Sequence, residues 1–391
     1  MFTDSQKIFS LSIVTLFFSL FLTNLINGMP NVKNIHYMTQ IPKILLFFMF
    51  LIGFFCLLKN LTKQLILFSI ISASIIALNF LFPNNLIYFK TTSLAFLTSC
   101  LPITLFSMAL YRWDYLYSYF VKASYLVSLM IIFTYTTGLL SFGDKLYSMG
   151  FSYSSILFFL ILFDNYFKSK KLLSLVFSVP ILVLIILYGS RGAMACIAIY
   201  ILIYIYRSLF FHKKKLQAFS VITFSLLLFL MRDNLIHLLL SITTKLGIYS
   251  RTLTTIASGT FTTSLGREDI YSQVLSSFMN NPFKIRGINA DYALTGIYSH
   301  NFILELLYEF GFILGVIIVL LIIITILLTL HNKGNGDKTH ISLLLISIWV
   351  PYLLISSTIW VTPFFWLFLG IFLNQSDVSL KRRFFVVFRS N

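Results

Sequence analysis

The chain has 391 residues, of which 58% are hydrophobic and only 10% are charged, and its formal net charge is +17. Ordinary soluble domains contain roughly 25% charged residues, so a soluble enzyme is excluded. The basic residues lie in short gaps between apolar runs, which excludes a basic nucleic-acid-binding surface. Because no polar block is large enough to form a separate domain, we predict a single membrane domain over residues 1–391.

Apolar runs long enough to cross a bilayer follow one another along the chain. A helix needs about twenty apolar residues to cross the hydrocarbon core, and backbone polar groups in lipid must bond within their own segment. The predicted fold class is therefore an all-α, polytopic membrane helix bundle with about twelve transmembrane helices. These spans are expected near residues 8–27, 41–58, 64–83, 91–110, 121–140, 151–167, 171–187, 192–210, 216–231, 301–329, 341–357 and 360–374.

The first span and the last two spans differ from the others. The first run is too long for the core of a signal peptide and lacks a small-x-small cleavage pattern, so we expect it to stay attached. The last two spans share residues 341–374 and contain Pro351 and Pro363. A partly re-entrant hairpin is therefore an alternative to two full spans there.

Lysine and arginine positions predict the orientation, because short cytoplasmic loops of membrane proteins are enriched in these residues. Of the 29 lysines and arginines, eighteen fall on the side that carries both termini, five in short loops on the other side and six in one long loop. Both termini are therefore predicted to be cytoplasmic. The long loop, residues 232–300, is predicted to be extracytoplasmic.

The long loop contains two amphipathic stretches, residues 234–249 and 266–280. The second places four apolar side chains on one helical face: Ile270, Val274, Leu275 and Phe278. Both stretches are expected to form short helices that either lie in the membrane interface or cap the bundle. The basic turn 284–289 follows, and Gly287 would allow its backbone to approach an anionic group or simply to connect two elements.

A polar constellation marks the point where the loop enters the tenth span. His300 precedes Asn301, a residue type that caps helix N-termini. Asn301, Glu305 and Glu309 recur every four residues and so share one helix face. A straight span of about 29 residues would be ~43 Å long against a core of ~30 Å, so its first two turns are expected in the headgroup layer. The glutamates either serve function or pair with arginines that hold the bundle together.

Arg191 lies in the turn between the seventh and eighth spans, on the same predicted side as His300. Its Gly-Ser-Arg-Gly context indicates a tight, exposed turn. The alternative is that the guanidinium only reaches lipid phosphates.

Short motifs in this half of the chain resemble the O-antigen polymerase and ligase family. They are Ser190-Arg191-Gly192, Gly266-Arg267, Asn281-Pro282 with Gly287, and His300-Asn301 with Leu304, Glu309-Phe310-Gly311 and Gly315. The resemblance covers roughly residues 170–330. The first 170 residues contribute only their hydropathy.

The resemblance implies a metal-independent, inverting glycosyltransferase of the bacterial inner membrane that needs no cofactor and acts on the extracytoplasmic side. Its donor is a glycan linked to undecaprenyl pyrophosphate, and its surroundings are membrane lipids. Polymerases pass the growing chain to the next lipid-linked repeat unit, whereas ligases pass it to the lipid A core. A chain-length regulator is a further partner of this kind of enzyme, and nucleic acid is not a partner.

The family's functional roles fall on particular residues of this chain. An outer histidine serves as general base and outer arginines bind the donor pyrophosphate, which implies His300 as the base. The implied pyrophosphate-binding residues are Arg191 and Arg267. Arg286 and Arg251 are further candidates for phosphate contact, and Asn301, Glu305 and Glu309 are candidates for orienting the other groups.

The chemistry agrees with these roles. Imidazole has a pKa near neutrality, which suits removal of a proton from a sugar hydroxyl. The chain has no Asp-x-Asp pair to hold a divalent ion, so fixed guanidinium charges are the available partners for a departing pyrophosphate. We favour a polymerase over a ligase. A flippase for lipid-linked saccharides is the alternative from another class.

Overall fold

The computed structural model describes residues 2–29, 37–139, 148–188, 191–211, 215–245, 253–254, 257–258, 267–334 and 336–374. Within these residues there is no β-strand. Helices of six residues or more, numbered in chain order, are α1 Phe2–Asn27, α2 Ile41–Leu58, α3 Lys63–Asn79, α4 Leu86–Ala95, α5 Leu101–Met108, α6 Trp113–Thr136, α7 Met149–Ser169, α8 Leu172–Tyr188, α9 Arg191–Phe210, α10 Lys215–Leu230, α11 Arg232–Lys245, α12 Arg267–Asn280, α13 Ala290–Thr295, α14 Phe302–Leu330, α15 Asp337–Ile355 and α16 Pro363–Leu373.

The helices coincide with the apolar segments of the sequence. Among the described residues, eight helical segments are long and apolar enough to cross a membrane. Shorter apolar helices accompany them: Lys63–Asn79, Leu172–Leu187, Lys215–Leu227 and Pro363–Leu373. The all-α class is therefore confirmed and the eight segments support a membrane bundle, whereas the count of twelve spans stays a prediction.

Burial separates an inner set of helices from an outer set. In the most apolar window of each helix, 72% of α7 and 67% of α15 are buried inside the protein, against 22% of α2 and 11% of α14. The interior helix α7 is rich in serine, and small residues allow helices in a membrane to approach closely. Because α14 has the highest mean hydropathy of the eight, 3.4, its uncovered flank suits contact with lipid.

Polar side chains close one end of the bundle. The Asp164 carboxylate accepts hydrogen bonds from the Tyr117 and Tyr200 hydroxyls at 2.7 and 2.9 Å, and it lies 3.0 Å from Nδ1 of His340. Nearby, the Arg207 guanidinium donates to three carbonyl oxygens, one at the last residue of α14 and two in the segment that follows it. A cation placed there satisfies carbonyl groups that the helix leaves without partners.

Contacts at the opposite end join segments that are distant in the chain. The side-chain amide of Asn85 donates to the carbonyl oxygens of Arg286 and Ile288 at 2.8 and 3.0 Å. The Tyr298 hydroxyl donates to the carbonyl oxygen of Ser356 at 2.8 Å. This end therefore gathers the connections that the predicted topology places outside the cytoplasm, although the orientation in the membrane stays a prediction.

The long helix α14 is not straight. Gly311 has φ 73° and ψ 170°, which lie outside the helical region. In a straight helix, residues 306 and 315 would be about 13 Å apart, yet a Cβ at Gly315 would lie 2.8 Å from the carbonyl oxygen of Leu306. Residues 302–310 therefore fold back against the beginning of residues 312–330. The expectation of a single straight span of about 29 residues is wrong.

Backbone groups released by this break find partners in the long loop. The Glu309 carbonyl oxygen accepts from the N–H groups of Arg286 and Gly287 at 2.8 and 3.0 Å, and the Phe312 N–H donates to the Pro282 carbonyl oxygen at 2.7 Å. Irregular backbone at membrane depth is tolerated only where the protein itself satisfies its polar groups. The loop and the break therefore depend on each other.

Both predicted loop helices are present within the described residues, as α11 and α12. Three side chains of α12, Ile270, Val274 and Phe278, are buried against Ala290 of α13 and Tyr308 of α14. The apolar face of α12 therefore caps the bundle, which is one of the two alternatives that the sequence left open. The fourth residue assigned to that face, Leu275, is 50% exposed, so its assignment was wrong.

We expect Gly311→Ala to destabilise the protein strongly. The change forces a side chain into a backbone conformation that costs about 1–3 kcal/mol for residues other than glycine. It also places a Cβ 2.9 Å from the carbonyl oxygen of Phe283. Gly138→Ala is the matched control for strain alone, because Gly138 has φ 68° with nothing within 4 Å, and Gly336→Ala meets nothing within 4 Å.

Thermal unfolding of the purified proteins in one detergent measures this difference. The unfolding temperature should fall most for Gly311→Ala, less for Gly138→Ala and hardly at all for Gly336→Ala. Equal unfolding temperatures for the variants at 311 and 336 would mean that the break is not required.

Candidate functional site

His300 lies where the long loop turns into α14. Its φ of 54° is in the left-handed region, and its ring packs on Tyr298 with ring centres 4.2 Å apart. The next residue, Asn301, accepts hydrogen bonds from the N–H groups of Ile303 and Leu304 at 3.0 and 3.3 Å. The predicted N-cap is thus confirmed, and it holds the histidine at a helix start.

The two nitrogens of the His300 ring differ in their surroundings. Nδ1 is buried and has no hydrogen-bond partner among the described residues. Nε2 is the other ring nitrogen, and it is the one that the proposal below uses. Burial lowers the pKa of His300 to about 4, and the positive charge of Arg267 acts in the same direction. The imidazole is therefore neutral at pH 7, and it is a weaker base than the near-neutral pKa expected from the sequence would make it.

Arg267 begins α12 and lies close to His300. Its charge opposes the rise in pKa that burial produces at Tyr271 and at Tyr298. Tyr271, one turn along α12, places its hydroxyl 3.5 Å from the carbonyl oxygen of His300. The structure thus brings together two of the residues that the family resemblance selects.

Arg191 begins α9, and a series of contacts connects this helix start to the same region. The next residue, Gly192, packs so closely on the Tyr153 hydroxyl that no side chain would fit there. That hydroxyl donates to Oγ of Ser356 at 3.1 Å, and the carbonyl oxygen of Ser356 accepts a hydrogen bond from the Tyr298 hydroxyl. Parts of the predicted motifs lie outside the described residues, namely Gly189, Ser190, Arg251 and Gly266.

Arg286 has a different environment from the one that a pyrophosphate role requires. Its guanidinium donates to the carbonyl oxygens of Ser277, Asn281 and Lys284 at 2.8 to 3.0 Å and lies 4.5 Å from the ring centre of Tyr308. These contacts close the C-terminal end of α12. Arg286 is therefore placed as a structural cap.

The basic turn 284–289 contacts its own chain. Gly287 has φ 81°, and a side chain there would collide with the ring of Phe82. Its N–H is already bonded to the carbonyl oxygen of Glu309. The glycine serves close packing inside the protein, which favours the plain connection over an anion-binding turn.

Glu305 and Glu309 are buried, with exposed fractions of 2% and 0%. The Glu309 carboxylate accepts from the Asn289 N–H at 2.6 Å and from the Trp360 indole N–H at 2.8 Å. The Glu305 carboxylate accepts from the Ile359 N–H at 3.4 Å. Neither forms an ion pair with an arginine of the described residues. They join α14 to the turn before α13 and to the turn before α16.

Asp291 is a positioning residue that sequence reasoning missed. It is 1% exposed, and its carboxylate accepts from the N–H groups of Ser299 and Tyr292 at 2.7 and 2.9 Å. Burial raises the pKa of Asp291, and the hydrogen bonds from Ser299 oppose that rise. It fixes the residue before His300. Asp291 lies eight residues before Ser299, and no periodicity in this stretch indicates that the two are in contact.

No protein-family model, curated protein or solved structure matches this chain. Among the described residues, no group of three or more histidine, cysteine, aspartate or glutamate side chains is placed to hold a metal ion.

We expect His300 to titrate near pH 4 in the folded protein, because burial and the charge of Arg267 both disfavour its protonated form. Histidine labelled with ¹⁵N reports this directly in detergent micelles, and His300→Gln identifies the resonance. Arg267→Gln should raise the pKa of His300, whereas Lys284→Gln, at an exposed position, should not. A His300 resonance that titrates above pH 6 in the unchanged protein would contradict this assignment.

Proposed function

We propose that this protein is a membrane glycosyltransferase that lengthens saccharides carried on undecaprenyl pyrophosphate. One observation carries the proposal: His300 has a buried, unpartnered Nδ1, and the positive charge of Arg267 acts on its ring. A base beside a fixed cation suits removal of a hydroxyl proton close to a departing anion.

The reaction needs one proton transfer and one displacement. A hydroxyl of the acceptor sugar gives its proton to Nε2 of His300, while its oxygen attacks the anomeric carbon of the donor. The bond between that carbon and the pyrophosphate oxygen breaks, and the configuration inverts. The leaving group departs as undecaprenyl pyrophosphate. Its negative charge close to the imidazolium also favours the protonated ring, which offsets the repulsion from Arg267.

Arg267 and Arg191 supply the positive charge for the pyrophosphate in this proposal. A guanidinium presents parallel N–H groups that match two phosphate oxygens, and it stays charged at every physiological pH. Arg286 is not assigned this role because its guanidinium already donates hydrogen bonds to three backbone carbonyl oxygens. Glu305 and Glu309 support the site through the backbone rather than through the substrate.

The proposed location is the bacterial inner membrane, with the site on the extracytoplasmic side. The excess of lysine and arginine at the other end supports this orientation. The connections that surround His300 also lie at the end of the bundle opposite Asp164 and Arg207, which supports a single outward-facing site.

Reconstitution tests the function as a whole. Purified protein in liposomes should lengthen lipid-linked repeat units extracted from the source cells, and chelation of divalent metals should leave this rate unchanged. Translocation of the lipid-linked saccharide without new glycosidic bonds would show that the protein is a flippase and not a transferase. Transfer only to lipid A core, with none between repeat units, would identify a ligase.

We expect His300→Ala to abolish chain lengthening while leaving membrane insertion intact. Arg267→Lys and Arg191→Lys should each lower kcat by about 10²-fold, the usual effect of removing a group that stabilises developing charge. Arg112→Lys, at the opposite end and paired with Asp114, is the matched control and should keep its activity. Turnover at the unchanged rate by His300→Ala would eliminate the base assignment.

A further inference from the structure

Three tyrosines continue from His300 as one row of rings. The ring centres of Tyr298 and His300 are 4.2 Å apart, those of Tyr292 and Tyr298 are 6.0 Å apart, and those of Tyr88 and Tyr292 are 4.6 Å apart. We call Tyr88, Tyr292 and Tyr298 the tyrosine row. It connects the imidazole to the outer end of α4.

The tyrosine row is only partly covered by the protein. All three side chains are half-buried. The Tyr298 hydroxyl is used on the carbonyl oxygen of Ser356, whereas the hydroxyls of Tyr88 and Tyr292 make no hydrogen bond to the described residues. Two phenol groups near the proposed base therefore have hydroxyls to offer to a ligand.

The ring faces of the row carry no cation, and the charge of Arg267 acts only on its Tyr298 end. None of the described lysine or arginine side chains lies over its rings, in contrast to Tyr308, which carries the guanidinium of Arg286. Phenol rings combine an apolar face with a polar tip that both donates and accepts hydrogen bonds. Such a surface matches a neutral sugar, which has an apolar C–H face and a rim of hydroxyls, and it does not match a pyrophosphate.

We propose that the tyrosine row binds the saccharide of the acceptor, a neutral sugar chain whose terminal hydroxyl points at His300. This inference rests on the proposed transferase function and names the acceptor site that the function requires. In this arrangement Arg267 on α12 binds the donor pyrophosphate. The tyrosine row extends from the imidazole along α13 to α4. The two saccharides would therefore meet at the histidine from different elements of the fold.

Steady-state kinetics with the liposome assay separates binding from chemistry. Tyr88→Ala and Tyr292→Ala should raise KM for the acceptor by roughly three- to tenfold, the range expected for one lost aromatic contact, with kcat within about twofold and the donor KM unchanged. Tyr88→Phe and Tyr292→Phe, which keep the ring, should have smaller effects. Tyr111→Ala, an exposed tyrosine at the other end of the bundle, is the control and should leave all constants unchanged.

A direct binding measurement distinguishes this inference from the proposed function. The probe is the lipid-free repeat-unit saccharide, released by mild acid from the lipid-linked material of the liposome assay. Saturation-transfer NMR with the unchanged protein in nanodiscs should show binding, and Tyr292→Ala and Tyr88→Ala should weaken it while retaining the normal unfolding temperature.

The protein could bind the saccharide through the tyrosine row and yet form no glycosidic bonds. That result would reject the proposed transferase function and retain the saccharide site. Absence of binding by the unchanged protein, or equal binding by the row variants and Tyr111→Ala, would overturn the inference even if chain lengthening is observed.

Discussion

The break in α14 is the constraint on which the arrangement of the end of the bundle around His300 depends. A chain in lipid cannot leave a peptide group without a partner, and Gly311 interrupts the helix close to the membrane. The long loop supplies the hydrogen-bond partners: the N–H groups of Arg286 and Gly287 and the carbonyl oxygen of Pro282. Once these bonds form, α12 and α13 are held against the short first half of α14, and His300 is held with them.

Buried carboxylates complete this arrangement. Glu309 binds Asn289 and Trp360, and Asp291 binds Ser299. Acidic groups placed beyond the reach of water are stable only when hydrogen-bond donors surround them, and here the donors are mostly backbone N–H groups. Each carboxylate therefore specifies where a loop must lie. A buried carboxylate also organises the other end of the bundle, where Asp164 contacts two tyrosines and a histidine from different helices.

Local patterns could predict the helices and the cap, because both depend on residues that are neighbours in the chain. Apolar runs indicated the spans, and Asn301 indicated the start of α14. The break could not be predicted, since one glycine in an apolar run is compatible with a straight helix. Its partners lie more than twenty residues earlier. Similarly, a sequence cannot reveal whether Arg286 faces phosphates or carbonyl oxygens, or that Tyr88 lies beside Tyr292.

The folded-back start of α14 fixes where the imidazole lies relative to residues 312–330. The nineteen residues 312–330 cover about 28 Å, close to the thickness of the hydrocarbon core. The turn that contains Leu306 lies beside the start of this segment. Under the proposed function, a sugar tethered to the bilayer by a long hydrocarbon tail would reach the imidazole by diffusing sideways in its own leaflet. Its anchor would not need to be lifted out of the lipid, and each encounter would be a search in two dimensions.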